Sequence, residues 1–171
     1  MSRRILWVLA VVLLVGCGLA QLPALAAMDA AGADVLTFEL MGTSARAEQV
    51  LAEWGEAGRA AAAEQLRWDV GFLVGYGLAL WLMATAVGAS RRVTLLGPLA
   101  AGADALENAS LAVVLSGTTT QPWPALAATF AAVKFALLAA WVLGMVLTLV
   151  RRRRARSGDP AAAASGARPA H

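Results

Sequence analysis

"GADALENAS", residues 102–110, places two carboxylates and a carboxamide in the middle of an otherwise apolar run, residues 93–115. Asp104, Glu107 and Asn108 stand at i, i+3 and i+4, so on a helix all three share one face. An apolar helix of about 20 residues crosses roughly 30 Å of hydrocarbon, and this run is long enough. Its polar face must then turn inward, because a charge at the bilayer centre costs about 3 kcal/mol on insertion scales.

Composition points the same way. Hydrophobic residues make up 60% of the 171-residue chain and charged residues 15%, with a mean hydropathy of +0.67, a combination outside the range of soluble domains. The formal charge of +3 does not indicate nucleic acid. Arg151, Arg152, Arg153 and Arg154 form one block directly after an apolar run, which is a membrane flank. With a single cysteine, Cys17, neither an internal disulfide nor a cysteine metal cluster can form.

Three further runs have spanning length: residues 5–27, 70–89 and 124–150. Arginines lie at Arg3 and Arg4, in the 90–92 turn, and after the last run, so these flanks are expected in the cytoplasm. The connections 28–69 and 116–123 then lie outside. The expected fold is an all-α polytopic membrane protein: a four-helix transmembrane bundle, N-in and C-in, with an outer amphipathic helical segment. Trp68 and Trp123 are expected at the outer interface. The first run also reads as a signal peptide, with "LVGC" at 14–17 or "ALA" at 24–26 as processing sites. Its apolar character continues past Cys17, which favours a retained helix.

In the outer segment "VLTFELM", residues 35–41, has strand-like branching, and Gly42 ends it. Thr43 or Ser44 can cap the helix that follows, with Val50, Leu51 and Trp54 on its apolar face and a weak point at Gly55 and Gly58. The sequence from 155 to 171, rich in Ala, Gly, Pro and Ser, reads as a disordered tail after the basic flank.

Lys134 is the only basic residue inside a span. Counted from the outer ends of their runs, Asp104 lies ~16 Å deep and Lys134 ~15 Å deep, so the two are expected to pair. Asp69 stands at the outer end of the second run, where it can cap the helix, and Tyr76 is expected at the level of Glu107. Gly71, Gly75 and Ala79 form a small-residue row suited to close helix packing. The candidate site is therefore Asp69, Tyr76, Asp104, Glu107, Asn108 and Lys134. It binds or relays a proton, small cation or polar ligand, or it only fixes helix packing; a membrane enzyme acting on a lipid-like substrate is a third reading. No catalytic set, metal set or cofactor motif is evident. The expected partners are the lipid bilayer and a small ligand, with a protein partner or a second copy as alternatives.

"FELMGT" at 38–43, a downstream Trp, Asp69, "DALEN" at 104–108 and "KF" at 134–135 together resemble a group of small uncharacterised bacterial integral membrane proteins with four spans. The resemblance runs from about Phe38 through Lys134 and implies a bacterial inner-membrane location and a shared polar site. It names no reaction.

Overall fold

The computed structural model describes residues 2–157. Among these residues the chain is all-α, 87% helix with no strand. Its elements are α1 (Arg3–Ala30), α2 (Val35–Glu39), α3 (Ser44–Ala86), α4 (Arg91–Leu115) and α5 (Trp123–Ser157). Side-chain oxygens of Ser2, Asp34, Thr43 and Ser90 accept amide hydrogens in the first turns of α1 to α4, so each of these starts on a short polar residue. Of the two candidates for capping α3, Thr43 is the one that does so.

Three helices, α1, α3 and α5, are long and apolar enough to cross a membrane. The fourth, α4, has the length but not the hydropathy, because Asp104, Glu107 and Asn108 dilute its centre. The side chains of α4 are sorted in the opposite sense to those of a water-soluble helix. Leu99 and Leu106 are 56% and 53% exposed, while Asp104 and Glu107 are 5% and 0% exposed.

The long helices pack in the order α1, α3, α4, α5, and α1 and α5 form no packed pair. The array is therefore open on one side rather than closed into a ring. Small residues set its spacing. A Cβ on Gly75 would lie 2.6 Å from the backbone nitrogen of Leu14, so only glycine permits this approach of α1 to α3. Gly77 meets Ala101 and Gly97 meets Leu80 in the same way between α3 and α4.

Two apolar clusters bracket the array. One joins Met28, Phe38, Val50, Trp54, Leu111 and Val114, with the Phe38 and Trp54 rings 5.3 Å apart. Burying such side chains stabilises by about 1.5–3 kcal/mol each. The other joins Ala84, Trp141 and Met145 at the opposite end. Between them lies the polar layer.

Several expectations are corrected. Residues 35–39 are a helical turn, not a strand: Asp34 Oδ1 accepts the Thr37 amide at 2.8 Å, and no neighbouring strand exists among the described residues to pair with an extended segment. As expected, the helix breaks at Gly55, whose φ of 60° no β-carbon-bearing residue adopts cheaply; the second part of α3, however, starts directly after this kink, well before residue 70. Asp69 is consequently mid-helix and caps nothing. α5 continues to Ser157, through the first residues of the expected tail; the remainder of that expectation, 158–171, lies outside the described residues.

Candidate functional site

Lys134 is the centre of the polar layer. It is 6% exposed, and its Nζ lies 3.2 Å from Asp104 Oδ1, 2.9 Å from Glu107 Oε2 and 3.1 Å from Glu39 Oε1. Its ammonium thus ties α5 to α4 and to the short α2. The contacts to Asp104 and Glu39 are aligned hydrogen bonds. That to Glu107 is a charge contact without hydrogen-bond alignment, and neither oxygen of this fully buried carboxylate has a hydrogen-bond partner. Lys134 Nζ also sits 4.9 Å from the centre of the Phe135 ring, which adds a cation–π contact.

Asp104 is the best satisfied acid. Its second oxygen accepts from the Tyr76 hydroxyl at 2.8 Å. Tyr76 was expected beside Glu107 but reaches Asp104 instead. Gly77 faces Ala101 across the helix pair, and helical side chains lean toward their own N-terminus, which carries the ring from that level back to Asp104. Asn108 donates to Asp69 Oδ2 at 2.7 Å. All six residues singled out from the sequence therefore lie in one layer, as two groups: a Lys134 centre with Asp104, Glu107 and Tyr76, and an Asp69–Asn108 pair.

Three members were missed. Glu39 completes the lysine's shell, and its Oε2 is buried without a partner. Gln21 and Gln65 join α1 to α3 by a buried hydrogen bond of 3.1 Å. A glutamine within an apolar run was the available signal for Gln21, and the position of Glu39 inside "FELMGT" was the signal for the acid.

A cavity of about 500 Å³ opens onto this layer between α1 and α5. Gln21, Glu39, Gln65, Asp69, Tyr76, Asp104 and Lys134 form its polar wall; Leu25, Val35, Phe72, Leu80, Phe135 and Leu138 form the apolar one. The volume is that of a small-molecule site. A second hollow, of about 360 Å³ around Trp81 and Pro98, has an apolar lining.

The layer holds four carboxyl groups, Glu39, Asp69, Asp104 and Glu107, against one ammonium, Lys134. Desolvated like charges at these separations cannot all remain ionised without a proton or a cationic partner. Among the described residues no group of three His, Cys, Asp or Glu side chains is arranged to hold a metal ion. The arrangement can accept protons or hydrogen-bond donors, with Tyr76 and Asn108 orienting two of the acids.

The chain matches no family model, and no curated protein and no solved structure is significantly similar to it.

Proposed function

We propose that the chain is a four-span membrane protein whose acid-rich cavity binds a small cationic or proton-donating ligand, or relays a proton, from the outer face. The single observation that carries this reading is the cavity meeting an acid excess that still contains unpartnered buried carboxylate oxygens, on Glu39 and Glu107. The membrane reading draws on the inside-out sorting of α4 and on exposed valines and leucines along α1 and α5. α4 counts as the fourth span because its acids are buried rather than lipid-facing. Ser90, at the start of α4, and Arg151 and Arg152 line one hollow, so the basic flanks share an end, which supports N-in, C-in insertion. The "FELMGT" and "DALEN" resemblance favours a bacterial inner membrane.

The test uses Cys17→Ser protein in nanodiscs with Leu138→Cys in the cavity or Thr118→Cys in the outer loop. Cationic and anionic methanethiosulfonates are compared. The cationic reagent should modify the cavity position faster, relative to the loop position. Modification by neither reagent, or equally by both, contradicts the reading.

A scaffold role is the second reading. It is favoured by the complete burial of Glu107 and by the bridging of α2, α4 and α5 through one lysine. In that case the cavity position stays unreactive while Lys134 substitutions still unfold the protein.

A further inference from the structure

The cavity has a direction. Along α3 its lining runs Gln65, Asp69, Phe72, Tyr76, Leu80, one helical face ~22 Å long whose polar groups end at Tyr76 and whose far end is Leu80. The opposite wall on α5 changes in the same sense, from Lys134 through Phe135 to Leu138. The Glu39 and Asp104 carboxylates stand at the polar end, and Glu107 lies directly behind Lys134 with Oε1 unpartnered. The open side is flanked by α1 and α5, whose outer faces are apolar: Leu19 and Leu22 are 61% and 55% exposed, and Val142 and Leu143 are 55% and 60% exposed. A ligand that fits must present proton donors or positive charge at one end and hydrocarbon at the other. It can arrive sideways from the lipid.

Resting on the reading of this cavity as a ligand site, the geometry points to a single-chain amphiphile with a protonated amine head group as its occupant. The ammonium lies among Glu39, Asp69 and Asp104, and the tail lies against Leu80 and Leu138 between α1 and α5. The Lys134 ammonium, already held by three carboxylates, is an internal example of the same recognition. An anionic head group is excluded by the acid excess, so lipids bearing a phosphate without a compensating amine are disfavoured.

The experiment is electron paramagnetic resonance of full-length protein in phosphatidylcholine nanodiscs, with nitroxide-labelled stearylamine compared with nitroxide-labelled stearic acid. The immobilised component should show the amine binding about tenfold more tightly than the acid, the low end for a close, desolvated charge pair. Residues 28–69 carry eight acids against three arginines, so nonspecific attraction of the amine is separated from binding in the cavity by a variant of the tail side. Glu39→Gln should reduce the preference, and Leu138→Trp, which fills the tail side without touching the charges, should abolish it. Equal immobilisation of amine and acid, or an amine preference that survives Leu138→Trp, overturns the inference. If the charge-selective thiol modification succeeds while the labelled amine fails, the ligand site stands and only its amphiphilic occupant is wrong.

Discussion

Lys134 on α5 and Glu39 on α2, 95 residues apart in sequence, meet at 3.1 Å between Nζ and Oε1. This contact fastens the short helix α2 over the polar layer and makes the lysine a three-way junction. Removing the ammonium strands three acids at once. Lys134→Met should therefore lower stability by about 3–5 kcal/mol, measured by denaturant unfolding in detergent. Glu107→Gln removes a surplus negative charge and should cost less than about 1 kcal/mol or stabilise. Equal losses from both substitutions contradict the surplus-acid arrangement.

The approach of α1 to α3 makes a covalent prediction. A Cβ at position 71 would lie 3.5 Å from Cys17 Cβ, within the range spanned by a disulfide. Gly71→Cys should oxidise to an intramolecular crosslink with Cys17, detected by mass spectrometry of the digested protein. Failure to crosslink means that α1 is removed or packs elsewhere.

At the same interface, Gly75→Val pushes a branched side chain into the Leu13–Leu14 backbone. A loss of about 1–3 kcal/mol is expected. Val70→Ala, on an exposed position of the same helix, serves as the reference in the same unfolding assay and should change stability little.

Asp34 supplies a pH dependence outside the spans. Its hydrogen bonds to Thr37 hold its carboxyl below the ordinary 3.8. A carboxyl lowered in the folded state stabilises fully above its unfolded value, so the contribution is present above pH 3.8 and is lost as the pH falls through the lowered native value. Asp34→Ala should remove about 1 kcal/mol from α2 at neutral pH and flatten its acid-induced loosening, read by amide exchange of residues 35–39.

The pairing of Asp104 with Lys134 was legible because both lie in apolar runs whose outer ends can be found, which turns sequence position into depth. The small-residue row at Gly71 and Gly75 was legible for a similar reason, though not that α1 fills it. The place of Asp69 was not. A spanning helix looks as though it starts where hydropathy rises, but the second part of α3 begins directly after the Gly55 kink, well ahead of the apolar run, and carries Asp69 into its middle. Glu39 was hidden because β-branched Val35 and Thr37 suggested a strand, whose alternation separates neighbours that a helical turn brings to one face. The gap between α1 and α5 has no local signature, since it follows from the order in which the helices pack.

Lys134 is the chain's only lysine, which gives the account a direct test. Protein labelled with ¹⁵N at the lysine Nζ, and with ¹³C at either the aspartate or the glutamate side-chain carboxyl, is examined in lipid by rotational-echo double-resonance NMR. Both labels should dephase the single lysine signal strongly, and Glu39→Gln and Glu107→Gln should each remove part of the glutamate effect. Dephasing by aspartate alone, or by neither, would contradict a lysine shared among Asp104, Glu107 and Glu39.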